Sequence, residues 1–196
     1  MSPRPWLLLP LCLLLLPRGL AAQDPASSSD HPPGNVNELT LAAIRPGRDR
    51  LATVLARWGR AFTHPSPDEG DVYVWCDARQ RLQFSVENSA QGARHDTIQA
   101  VTVNRLLGPL PPHCAAHLPA ALARTGRGVR LGDTAQQLKQ VYGKPFFDGP
   151  ASWDGRDVHL IVFNFSWAGS DRPQILESSF DAAGRLVKLT LSAQYY

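Results

Sequence analysis

Four things are scarce or missing in this chain, and the first three each close off a class of protein. No apolar run is long enough for a membrane helix: the longest, Trp6 to Leu16, is broken by Pro10 and followed by Pro17, whereas spanning takes about 20 residues. No cluster of basic residues marks a nucleic-acid footprint, because the charges are interspersed along the chain. No Gly-x-Ser-x-Gly nucleophile elbow occurs, and the serines near histidines carry no further catalytic signature. Lysine is nearly absent, with only Lys139, Lys144 and Lys188 among 20 basic residues; a GC-rich genome would produce that bias without any functional cause.

What is present begins with an export signal. Arg4 precedes the leucine-dominated apolar run, and Gly19-Leu20-Ala21-Ala22 supplies small residues for cleavage after Ala21 or Ala22, so residues 1–22 read as a signal peptide. Cys12 is not a lipidation site on this reading, because Leu11 stands where a small residue is required. Loss of residues 1–22 takes Arg4 and Arg18 and no acid, which lowers the formal charge from +3 by two, to +1. The expected location is periplasmic or secreted, with no transmembrane anchor and no nucleic-acid partner.

Cys76 and Cys114 then remain in a compartment where disulfides persist, and an even pair is most simply a bridge worth roughly 4 kcal/mol by loop entropy. Two separate thiols, or a metal role for Cys114, are the rival readings. His113, Cys114 and His117 form the one metal-like cluster, but zinc needs three or four ligands and no fourth is evident; no metal and no cofactor is expected.

Residues 23–34, QDPASSSDHPPG, form a flexible leader. Beyond it two stretches repeat a pattern. Leu51, Val54, Leu55 and Trp58 share one helical face, with Asp49 placed to cap the start and Gly59 the end. Ala135, Leu138, Val141 and Tyr142 do the same, with Thr134 and Gln137 as a capping box and Gly143 as the stop. Asn35–Ala43 and Leu118–Arg124 read as weaker helices before each. Strand-like runs follow each main helix: Val72–Cys76, Arg81–Val86 and His95–Asn104 in the first half, Asp157–Trp167, Ile175–Phe180 and Arg185–Ser192 in the second. Prolines in Gly108-Pro109-Leu110-Pro111-Pro112 mark a stiff linker. The expected fold class is therefore α+β in two tandem units, 35–107 and 118–196, joined by linker 108–117, each with two helices packed on a three-stranded antiparallel sheet.

The run Gly128-Val129-Arg130-Leu131-Gly132-Asp133-Thr134, leading to Tyr142-Gly143-Lys144-Pro145, resembles the helical signature of the BamE-like (SmpA/OmlA) family, and Ile44–Phe62 looks like a diverged copy. A tandem pair is similar in architecture to the β-lactamase inhibitory protein. The resemblance implies small periplasmic domains and, in the tandem arrangement, one broad concave sheet; it fixes no activity.

Candidate chemistry is thin. Asp68/Glu69 and Asp154/Asp157 lie in polar stretches and read as solvated surface, and the sequon Asn164-Phe165-Ser166 falls inside a strand pattern. Trp153, in a loop-like stretch, is the best candidate for an exposed aromatic anchor. Gln83, Ser85, Glu177, Lys188, Thr190 and Ser192 are expected on an exposed sheet face, polar enough to argue against an obligate interface. The expectation is an exported non-catalytic binding or scaffolding protein of the bacterial cell envelope whose partner is a protein or envelope component. The alternatives are an inhibitor of a secreted or periplasmic hydrolase and a small exported enzyme with no recognisable site.

Overall fold

Alternating apolar and polar residues in seven segments build one sheet. The structure, a computed structural model, describes residues 39–64, 71–88, 96–112, 114, 116, 118–165 and 173–193. In chain order its elements are α1 (Leu51–Trp58), β1 (Val72–Asp77), β2 (Leu82–Asn88), β3 (Ile98–Arg105), α2 (Ala135–Tyr142), β4 (Phe147–Trp153), β5 (Arg156–Phe165), β6 (Gln174–Phe180) and β7 (Leu186–Ala193). The strands form a single antiparallel sheet in the order β1-β2-β3-β7-β6-β5-β4. Signal peptide 1–22, leader 23–34, Asp68/Glu69, His113, His117, Ser166, Trp167, Tyr195 and Tyr196 lie outside the described residues.

This corrects the expected fold class. There are not two units of two helices on three strands; β3 pairs with β7, so both halves share one seven-stranded sheet. In the segments read as first helices, the described residues 39–43 and 118–124 are not α-helical. Ala42 and Ala43 hold φ of 53° and 61°, in the left-handed region that cannot propagate a right-handed helix, and 118–124 forms only a short 3-10 turn at Ala120–Leu122. The second half also contains a fourth strand, β4, where Gly149 and Pro150 suggested a loop.

Each α-helix covers its own part of the sheet. In α1 the buried residues are Val54 and Trp58, and the Trp58 ring packs edge-on against Trp75 and Phe84, with centroids 5.1 and 5.5 Å apart. In α2 they are Leu138 and Tyr142, and the Tyr142 ring lies 5.6 Å from Phe163 and 5.8 Å from Phe165. Between them Val101, Val103, Leu189 and Leu191 continue the same buried cluster across the β3–β7 seam. The Thr134–Gln137 capping box forms as its spacing predicts. Asp49 behaves otherwise: its carboxylate accepts from the Arg45 amide at 2.9 Å, and the N-cap of α1 is Arg50, with no side-chain cap.

The two sheet edges are finished differently. At β1 Thr63 exchanges backbone hydrogen bonds of 2.8 and 2.9 Å with Val74, and Ala116 N–H donates to Cys76 O at 2.8 Å. At β4 the device is proline. The turn Asp154-Gly155, with φ of 53° and 68°, makes a two-residue hairpin closed by the pair Trp153–Arg156. Hydrogen-bonded pairs alternate from there, so Pro150, opposite His159, falls where the nitrogen points away from β5. A missing donor costs nothing to the ladder there and blunts the edge.

Candidate functional site

With α1 and α2 on one face, the cross-strand register defines what stands on the other. One row reads Ser85, Thr102, Thr190, Glu177, Val162 and Phe147; the next reads Gln83, Asn104, Lys188, Ser179, Leu160 and Gly149; a third includes Glu87, Ala100, Ser192, Ile175 and Asn164. The six polar residues expected on an exposed face, Gln83, Ser85, Glu177, Lys188, Thr190 and Ser192, therefore sit in adjacent rows of one surface. Glu177 is exposed and the other five are half-buried. Thr102 and Thr190 share a hydrogen bond of 3.0 Å across the seam.

The face changes character along its width. Across β2, β3 and β7 it is polar. Across β4 to β6 it carries Phe147, exposed, with half-buried Leu160, Val162 and Ile175. Asn164 of the sequon faces outward here and is half-buried.

Trp153 closes this end, and it corrects the expectation of a loop residue: it is the last residue of β4, half-buried, on the open face. On a flat ladder its Cα would stand about 20 Å from that of Lys188, given about 4.8 Å between strands and about 3.4 Å per residue. The Lys188 ammonium nevertheless lies 5.4 Å from the centre of the Trp153 ring. The reach of the two long side chains and the curl that twist gives a sheet together close that distance. Arg156 Nη2 lies 3.6 Å from where a Cβ on Gly108 would stand, which places the linker against this end of the face.

The linker forms a wall beside it. Arg81 donates to Leu106 O at 3.1 Å and to Gly108 O at 2.6 Å, and Leu107 and Leu110 are more than a third exposed. The Cys76–Cys114 disulfide pins the far end of this segment to β1. Asp77, 2% exposed, secures it from below by accepting from the amides of Leu118 at 2.9 Å and Gln80 at 3.0 Å and from the Gln80 side chain at 2.8 Å. Burial pushes the Asp77 carboxyl up, and these hydrogen bonds outweigh it, holding the pKa below the usual carboxylate value.

Other polar groups lie elsewhere. Asp148, beside Lys139 at 2.5 Å and His159 at 2.6 Å, is on the helix-bearing side; those two partners hold its carboxyl below the ordinary value. Tyr142 donates to Thr125 Oγ1 at 2.7 Å, and burial pushes its phenol up to about 12. Among the described residues no group of three or more His, Cys, Asp or Glu could hold a metal ion, and Cys114 is bonded to Cys76. No described helix is long and apolar enough to cross a membrane.

Sequence reasoning missed Arg156, Leu107 and Leu110. The hairpin signal Asp154-Gly155 would have exposed the first, since it forces Trp153 and Arg156 into a facing pair. No family model matches the chain, nor does any curated protein or solved structure, so the BamE-like resemblance rests on its helix-cap residues alone.

Proposed function

We propose that this is an exported, non-catalytic binding protein of the bacterial envelope that takes a protein partner on the open face of its sheet. The observation that carries the reading is the asymmetry of that sheet: α1 and α2 cover one side, while on the other half-buried polar and apolar side chains stand in ordered rows. Seven strands at about 4.8 Å and five or so residues along each give a surface of roughly 500 Å². The rim adds to this and approaches the roughly 800 Å² per partner of a standard protein interface. Export to the periplasm or exterior rests on residues 1–22, and intact mass of the exported form should start near Ala22 or Gln23 without lipid.

Site-specific photocrosslinking in the native envelope tests the binding reading. A crosslinker at Ser85 or Glu177 should give a discrete adduct that one at Gln140, exposed on α2, does not. Adducts from Gln140 alone would move the partner to the helix side and overturn the assignment of the open face. Should the adduct be a hydrolase that loses activity in a stoichiometric complex, the protein is its inhibitor.

A further inference from the structure

Two cations, Lys188 and Arg156, come to the Trp153 end of the open face, and among the described residues no acid pairs with either. Among the described residues the ion pairs are Arg130–Asp133, Lys139–Asp148 and His159–Asp148, and neither Lys188 nor Arg156 belongs to one. Trp153 and Arg156 are a facing cross-strand pair, and Lys188 lies over the Trp153 ring. All three therefore share one patch. Arg81 adds a third positive charge close by, its guanidinium held by the carbonyls of Leu106 and Gly108 beside Arg156. The register turns Asp157 to the opposite side of the sheet from Arg156. Glu177, on the same face, is a row away from Lys188 and a strand away, and Asp154 in the hairpin turn forms no ion pair with either cation.

A cation half-buried on an aromatic ring is already partly stripped of water. An arriving carboxylate thus meets in Lys188 a donor whose desolvation is partly done. Leu107 and Leu110, exposed on either side of Gly108, and Leu160, Val162 and Phe147, further along the same face, supply apolar surface for the rest of a bound segment. Trp and Arg are the residues that concentrate interface energy when seated among such neighbours.

We infer that this patch is the recognition site for an acidic loop of the protein partner: one Asp or Glu carboxylate seated between Arg156 and Lys188, flanked by an apolar residue packed on Trp153. The inference rests on the open-face binding reading and specifies its chemistry. A loop of the opposite charge would place its cation against two others, which costs rather than contributes.

The test uses the mature, disulfide-intact chain and a displayed library of random twelve-residue peptides as probe, followed by amide chemical-shift mapping of the tightest peptide. The expected result is enrichment of an acidic residue beside an apolar one and shifts centred on β4, β5 and β7. Affinity should fall about tenfold or more in R156E and in K188E, with binding weakened by salt. Replacing the peptide acid by lysine should restore binding to R156E, a readout that mere loss of folding could not give. Peptides that map to the open face without charge preference, or bind both variants undiminished, overturn the acidic-loop inference and leave the binding reading standing. Peptides confined to the helix side, or none at all, overturn both. Binding instead to phosphatidylglycerol vesicles, abolished by R156E, would make the patch a lipid site and overturn the inference.

Discussion

Thr102 and Thr190 stand opposite each other with their hydroxyl oxygens 3.0 Å apart, joining strands that are 88 positions distant in sequence. Their ladder, β3 with β7, is the pairing that makes one sheet of two halves. Stability should therefore be shared. Native-state hydrogen exchange should give the amides of Phe84 and Leu176 the same opening free energy. Leu138→Ala, which empties a fully buried site beneath α2, should cost about 2–5 kcal/mol and lower protection in both halves together. Loss confined to β4–β6 would mean the halves unfold separately.

Breaking the Cys76–Cys114 bridge, with partners separated by 38 positions, should cost about 2–4 kcal/mol in the double serine variant measured by denaturant melts. Titration of the denatured, unreduced protein should find no free thiol from this pair. Two reactive thiols would contradict the bridge.

Asp77 should make the linker acid-sensitive. Its folded pKa is depressed, so its contribution is complete above the unfolded value of about 3.9 and is lost as pH falls through the lower folded value. Asp77→Asn should cost about 1–3 kcal/mol at neutral pH and flatten the stability profile below about pH 4. A variant with the slope unchanged would show that another carboxylate sets it.

Tyr142 predicts the alkaline limb. Its phenol is raised to about 12 by burial, so the stability it gives is whole below the unfolded value near 10 and declines as pH rises from there to about 12. Tyr142→Phe, which forfeits the bond to Thr125, should cost about 1 kcal/mol and remove that decline. Phenolate absorbance from Tyr142 well below pH 10 would refute this.

Pro150 should keep the chain monomeric at the β4 edge. Replacement by threonine restores an outward N–H and should bring on concentration-dependent self-association in sedimentation, with no loss of fold. Unchanged sedimentation would show the edge to be protected by other means.

The local signals were readable in sequence and the distant ones were not. Thr134, Gln137, Gly59 and Gly143 announce helix ends because capping depends on residues a few positions apart. The six polar face residues could be foreseen because strand alternation is a period of two. The partner of β3 is β7, and no local pattern names a neighbour that far along the chain. Trp153 was misplaced because Pro150 reads as a strand breaker, which holds only where the nitrogen must face another strand. The meeting of Lys188 with Trp153, three strands apart in the sheet, depends on how the sheet curls and how far the side chains reach, and has no counterpart in spacing.

The strand order also sets a timetable. β7 is the last described strand to be synthesised, and it fills the centre of the sheet, between β3 and β6. Until Leu186–Ala193 has left the ribosome, β3 and β6 each keep an unpaired edge, and the two halves remain open-ended fragments. Closure across so long a stretch of chain carries a high loop-entropy cost and is correspondingly slow. The sheet thus stays open at its centre until Leu186–Ala193 is made, and any truncation before Leu186 leaves the edges of β3 and β6 unpaired.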